Sequence, residues 1–161
     1  VPGRHESVPT GGDYSVIVDY AHTPDALASL LSSVRAIAPG RVIVVFGCGG
    51  DRDRGKRPEM GAVAASAADV VIVTSDNPRN EPPEAIIAEI TAGLHGADAD
   101  VETRQDRADA IASAIERAGS GDIVVIAGKG HEPYQEVAGV FVPFSDVEVA
   151  RVAIERRRTA G

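Results

Sequence analysis

The chain has 161 residues, a length typical of one domain, and its 43% hydrophobic against 25% charged residues can build a core without disulfides or a structural metal. A net charge of −8 argues against a general nucleic-acid binder, and the single cysteine, Cys48, excludes an intrachain disulfide and any multi-cysteine zinc site. No apolar run approaches the roughly 20 residues that span a bilayer, and the N-terminus lacks a signal-peptide layout, so an acidic cytoplasmic domain that contacts neither membrane nor nucleic acid is expected.

Residues 1–13, rich in proline and glycine, read as an interdomain connector, and 14–161 as the domain itself. Ser15 to Asp19 is a short β-branched run. Thr23-Pro24 then opens a helix, Thr23 as N-cap and Pro24 where its missing N–H costs nothing, and Pro39-Gly40 ends it after about Ile37. Arg41 to Phe46 is an apolar strand running into glycines. Pro58 to Ala67 reads as a helix, Asp69 to Val73 as a strand, Pro82 to Leu94 as a helix, and Val101 to Arg104 as a weaker strand. Asp106 to Arg117 is an amphipathic helix, Asp122 to Ala127 a strand, Val140 to Pro143 a further short strand, and Ser145 to Arg158 a closing helix.

The strands at 16–18, 42–46, 70–73 and 123–126 are apolar without alternation, the pattern of strands buried on both faces. Alternating with helices, they predict an α/β fold: a doubly wound, mostly parallel sheet flanked by helices, Rossmann-like, with the turn at Gly139 allowing one antiparallel edge strand. In such sheets ligands bind beyond the carboxyl ends of the strands. Those ends carry four polar or glycine-rich clusters: Asp19-Tyr20-Ala21-His22, Gly47 to Arg57, Thr74 to Asn80, and Gly128 to Glu132.

The Gly50–Lys56 spacing imitates a phosphate-binding P-loop, but Arg57 stands where a Ser or Thr should hold Mg²⁺, and Asp51 and Asp53 would repel phosphate. The loop reads better as a turn presenting guanidinium groups to an anionic substrate, against the plainer reading that Arg52, Arg54 and Arg57 pair with Asp51, Asp53 and Glu59 on a solvated loop. In Asp76-Asn77-Pro78-Arg79, Pro78 restricts the backbone so that Asn77 and Arg79 are aimed, though taken alone the segment reads more readily as a plain strand-to-helix turn with an Asx cap before Pro82. Gly128-Lys129-Gly130-His131-Glu132 offers a carboxylate for a substrate ammonium, against a glycine turn with a solvated Lys–Glu pair. Carboxylate binders (Arg52, Arg79) with an ammonium binder (Glu132) are what a zwitterionic amino-acid end requires. Neither the pair His22 and His131 nor Cys48 forms a metal-ligand or nucleophile motif.

Asp-Tyr-Ala-His-Thr-Pro-Asp-Ala at 19–26, Gly-Cys-Gly-Gly-Asp-Arg-Asp-Arg-Gly-Lys-Arg-Pro at 47–58, Asp-Asn-Pro-Arg at 76–79, Ala-Gly-Lys-Gly-His-Glu at 127–132 and the opening Val-Pro-Gly-Arg resemble the C-terminal domain of the Mur ligase family, in its diaminopimelate-adding branch. The resemblance runs in order along essentially the whole chain; His5 stands where the family usually has Met. It implies a three-domain, ATP-dependent ligase of peptidoglycan synthesis that joins meso-2,6-diaminopimelate to the UDP-MurNAc dipeptide. ATP and Mg²⁺ are then bound mainly by a central domain, and this third domain is not catalytic alone. It further implies that Arg52, Asn77, Arg79, Gly128 and Glu132, with Asp76 as a possible addition, bind diaminopimelate, and that Arg4, Asp19, Tyr20 and His22 contact ATP. The alternatives are a lysine-adding member, another Mur or folylpolyglutamate ligase domain, a freestanding amino-acid-binding module, and a domain that binds only nucleotide.

Overall fold

The computed structural model describes residues 3–160; Val1, Pro2 and Gly161, and with them the first residues of the connector and of the Val-Pro-Gly-Arg motif, lie outside the described part. Its strands are β1 (Glu6–Val8), β2 (Ser15–Asp19), β3 (Val42–Phe46), β4 (Val70–Val73), β5 (Asp100–Thr103), β6 (Ile123–Ala127), β7 (Tyr134–Val137) and β8 (Val140–Pro143). The helices are α1 (Pro24–Ile37), α2 (Lys56–Ala67), α3 (Pro83–Thr91), α4 (Arg107–Arg117) and α5 (Asp146–Ala160), with a 3₁₀ turn at Ala92–Leu94.

Six strands form one sheet in the order β1-β2-β6-β3-β4-β5, parallel except for β1. Every residue of β3, β4 and β6 is buried, as their unbroken apolar sequence predicts. One face of the sheet packs Val44, Phe46, Val71 and Val125 against Leu27 and Leu31 of α1, Met60 and Ala64 of α2, and Ile86 and Ile90 of α3. The other packs Ile43, Val45, Ile72, Val124 and Ile126 against Ile111 and Ile115 of α4 and Ala150 and Ile154 of α5. With almost no aromatic side chains, the layers are filled by branched aliphatics and alanines, and the small residues let the helices lie close to the sheet.

Local signals act as expected at several boundaries. The Thr23 hydroxyl accepts from the Ala26 N–H at 3.2 Å and Pro24 begins α1, while Asp106 caps α4 by accepting from the Asp109 N–H. Helix α2 begins at Lys56, two residues before the predicted start, because a proline in the first turn forfeits an N–H that has no helical partner anyway. The single antiparallel edge strand is β1, inside the stretch read as a connector, with Glu6 opposite Val18 and Val8 opposite Val16. The turn at Gly139 instead joins β7 and β8 into a separate two-stranded sheet. Among the described residues, no helix is long and apolar enough to cross a membrane.

Neighbouring strands β3 and β6 send the chain to opposite faces, β3 into α2 and β6 by way of the β7–β8 hairpin into α5. A crevice opens at the carboxyl ends of the strands where the direction of winding reverses.

Candidate functional site

The floor of the crevice is set by a buried arginine. Arg107, the first residue of α4, and Asp146, the first of α5, are fully buried and paired through two bonds of 2.8 Å. The remaining donors of Arg107 reach the Ser75 carbonyl at 3.0 Å and the Ala127 carbonyl at 3.2 Å. One guanidinium thus ties the ends of β4 and β6, which carry the segments 74–80 and 128–132, to the two helices beneath them.

On this floor sits a polar cluster that unites segments more than 50 residues apart. The Lys129 ammonium is fully buried; it donates to Asn77 Oδ1 at 2.9 Å and to Glu132 Oε1 at 3.1 Å, and lies 3.8 Å from Asp76 Oδ1. Asn77 is also buried: its Oδ1 accepts a second bond from the Glu136 N–H at 3.0 Å, and its Nδ2 donates to Glu132 Oε1 at 3.3 Å. Burial pushes the Asp76 carboxyl above its ordinary value, against the pull of Arg107 and Lys129. Gly128, at φ +116°, allows this packing, since a Cβ there would lie 2.8 Å from Asp76 Oδ2. The solvated Lys–Glu pair considered for 128–132 is therefore ruled out: the lysine is enclosed, and Glu132 already carries an ammonium of the chain's own.

Arg79 lies at the rim of this cluster, with φ +54°. Its Nε donates to Glu136 at 3.1 Å and its Nη1 to the Gly50 carbonyl at 2.9 Å, so it is part-buried and bridges the β7–β8 hairpin to the glycine loop. The backbone does the same. The Arg79 N–H donates to the Glu136 carbonyl, and the Ala138 N–H donates to the Arg79 carbonyl. A Cβ at Gly49 would meet Arg79 Nη1 at 2.7 Å and Arg52 Cγ at 3.7 Å, so the two guanidinium-bearing residues flank one glycine.

Within the 47–57 loop the three arginines separate in role. Arg54 pairs with Glu89, and the fully buried Arg57 pairs with Glu81 and donates to the Gly49 carbonyl, so neither takes the loop carboxylates proposed for it. The Arg57 bonds and the Asp51 N–H hold the Glu81 carboxyl down to about 2. Arg52 is exposed and, among the described residues, makes no ion pair; it donates to the neighbouring Asp51 carbonyl. The Gly50 N–H is bonded to the Asn77 carbonyl, the Asp51 N–H to Glu81 and the Gly55 N–H to Asp53, so these amides are already spent as donors for a phosphate cradle.

Arg4, Asp19, Tyr20 and His22 gather at the end of β2, around a cavity of about 370 Å³. Arg4 lies over the Tyr20 ring at 5.9 Å, and the Tyr20 and His22 rings meet at a tilt of 59° with their centroids 4.6 Å apart. Asp19 accepts the His5 N–H at 2.7 Å and the Ala21 N–H at 2.9 Å, so its carboxylate fixes the loop that carries Arg4. Tyr20 also lines a neighbouring cavity of about 350 Å³ with Lys129 and Glu132, so the two groups of predicted residues share an edge. Each candidate site residue named from the sequence is thus brought to the carboxyl edge of the sheet. Arg107, Asp146 and Glu136 were not anticipated, because nothing in a single sequence marks a charged helix-end or hairpin residue as buried or as a partner.

Comparison with known proteins gives a consistent picture. The family described as "Mur ligase, glutamate ligase domain" matches residues 3–130. A UDP-N-acetylmuramoyl-L-alanyl-D-glutamate--2,6-diaminopimelate ligase of Acidovorax sp. (strain JS42) is 56% identical over 98% of this chain and 32% of its own length. The protein of that name from Xanthomonas campestris pv. campestris (strain 8004) is 58% identical over 91% of this chain and 29% of its own. A solved structure of a ligase of the same name superposes with a TM-score of 0.90 at 47% identity, covering 98% of this chain and 32% of that one. E. coli FolC in complex with ADP shares the fold, with a TM-score of 0.60 at 24% identity over 100% of this chain and 33% of that one. The chain spans about a third of the length of the curated relatives it matches.

Proposed function

We propose that this chain, which belongs to the Mur ligase family through its glutamate ligase domain, supplies the amino-acid-binding part of a cytoplasmic bacterial ligase. That ligase would join meso-2,6-diaminopimelate to UDP-N-acetylmuramoyl-L-alanyl-D-glutamate at the expense of ATP, in peptidoglycan synthesis. The observation that carries the reading is that Arg79, which flanks Gly49 together with Arg52, is tied through Glu136 to Asn77, and Asn77 and Lys129 hold the Glu132 and Asp76 carboxylates next to it. A free amino-acid end carries a carboxylate and an ammonium together, and a site that binds both needs both signs of charge within a few ångströms. The names of the relatives support the choice of amino acid.

In this reading Arg79 and Asn77 hold the distal carboxylate that lysine lacks, with Arg52 as a second cation, while Glu132, Asp76 and the Gly128 backbone face the distal ammonium. Arg4, Tyr20 and His22 fit the flank of a nucleotide, a guanidinium for phosphate and ring faces for a base, with Asp19 fixing the loop between them. When bound, ATP would supply the phosphoryl group that activates the acceptor carboxyl. Its Mg²⁺ would be held outside this domain. What these residues contribute is position: the amine is delivered to the activated carboxyl when the domain closes over the remainder of the enzyme.

The test is the ratio of kcat/KM for meso-diaminopimelate to that for L-lysine in the full-length ligase, with and without Arg79→Ala. A site built around a charged group rejects the analogue lacking it steeply, so the variant should lower that ratio by about 100-fold or more. An unchanged ratio would overturn the assignment, and a wild-type preference for lysine would move the protein to the lysine-adding branch.

A further inference from the structure

Resting on the amino-acid-binding reading above, we infer that Lys129 is a positioning residue for amino-acid selection: its enclosed ammonium fixes the orientation of Asn77 and halves the charge that the site shows an incoming ammonium. Two observations point this way. First, Lys129 is fully buried although a lysine normally keeps its head group in water, and its ammonium touches the candidate ligand residues instead. Second, its bonds determine which atoms remain available. Lys129 Nζ and the Glu136 N–H both donate to Asn77 Oδ1, which turns Asn77 Nδ2 toward Glu132. Glu132 Oε1 is taken by Lys129 and Asn77, and Oε2 is left as the acceptor that makes no hydrogen bond among the described residues.

The charge count follows. Asp76 and Glu132 bring two negative charges to the inner end of the crevice and Lys129 returns one positive, while Arg79 and Glu136 cancel each other. With Arg107 and Asp146 also cancelling each other beneath it and Arg52 out on the exposed loop, this inner end keeps one net negative charge, which suits a single ammonium group. Without Lys129 the Asp76 and Glu132 carboxylates would lose the cation they share, and Asn77 would keep only the Glu136 N–H of the two donors that hold its carbonyl turned inward. The Tyr134 ring, 5.7 Å from Nζ, closes this pocket from the hairpin side.

The experiment is steady-state kinetics of the full-length ligase carrying Lys129→Met, Glu132→Gln, or both, with Arg79→Ala as a reference. Lys129→Met should raise KM for diaminopimelate about tenfold or more, the loss of a hydrogen bond to a charged group, with a much smaller change in kcat and none in KM for ATP. In the Glu132→Gln background, Lys129→Met should add little further, because the two residues act on one site. The double variant also removes one charge of each sign, so it reports on the coupling even where Lys129→Met alone folds poorly. A KM for diaminopimelate unmoved by Lys129→Met, or fully additive effects of Lys129→Met and Glu132→Gln, would overturn the inference while the Arg79→Ala effect stands. Loss of the Arg79→Ala and Glu132→Gln effects together would overturn the amino-acid-binding reading instead.

Discussion

Replacing Arg107 with methionine removes the guanidinium that joins β4, β6, α4 and α5. Methionine roughly fills the same space, so the loss is electrostatic rather than a cavity. The Asp146 carboxylate, fully buried in the native chain, is left without its partner. Breaking a buried ion pair from one side costs about 3–5 kcal/mol. The carbonyls of Ser75 and Ala127 also lose their donors, and a buried acceptor left unsatisfied adds about 1–3 kcal/mol. The sum of at least about 4 kcal/mol is a large part of the roughly 5–15 kcal/mol by which a domain is stable. Urea unfolding of the 161-residue chain, followed by far-ultraviolet circular dichroism, measures it. The double variant Arg107→Met/Asp146→Leu should recover most of the charge term but not the two carbonyl terms, and so fall between the single variant and the parent. A loss below about 1 kcal/mol for Arg107→Met, or a double variant no more stable than the single, would refute the account of Arg107 as the tie beneath the crevice.

The remaining predictions concern two other buried groups. Desolvation, which outweighs the pull of Arg107 and Lys129, raises the folded-state pKa of Asp76. Such a group contributes its full stability below the ordinary carboxylate value of about 4 and loses it as pH rises toward the raised value. Asp76→Asn should therefore be more stable than the parent at neutral pH, with the difference closing as pH falls below about 4, while affinity for diaminopimelate drops roughly tenfold. Denaturation curves across pH check the first part; equal stabilities at every pH would contradict it. Burial pushes the Cys48 thiol up to about 12, against the pull of Lys56. At pH 8 it should react with iodoacetamide about 1000-fold more slowly in the folded chain than in urea, and comparable rates would show that it is reachable.

The central layer of this fold is legible in the sequence because β3, β4 and β6 are uninterrupted β-branched and aliphatic runs, a pattern that solvent-facing strands do not carry. Helix starts at Thr23 and Asp106 are equally plain, since capping is a local matter. Strand β1 is not legible: Glu6-Ser7-Val8 is held by pairing with β2, a contact made through backbone amides that any residues supply. Strand β7 escapes for the same reason, its Tyr-Gln-Glu-Val lacking both alternation and an apolar run. At the crevice, the residue types marked where polar groups gather, but not which of them are buried or paired. Lys129 and Arg107 look like ordinary surface cations when read along the chain, and only the three-dimensional meeting of segments 76–79, 107, 128–132 and 146 shows that both are sealed from water. Arg52 reads the same way and is in fact exposed, which is why residue type alone cannot separate the frame of the crevice from its free groups.

Under the proposed assignment of Arg79, its left-handed backbone constrains how amino-acid preference can change over evolutionary time. The turn is stitched to the hairpin by main-chain bonds on both sides of residue 79, so its shape is independent of the side chain it presents. A lineage can therefore exchange that side chain without rebuilding the scaffold. The conformation narrows the choice, because glycine, asparagine and aspartate adopt a φ near +54° with little strain whereas valine, isoleucine and threonine do not. Drift toward a different substrate at this position should pass through small polar residues or glycine, and β-branched side chains should be avoided there whatever the substrate.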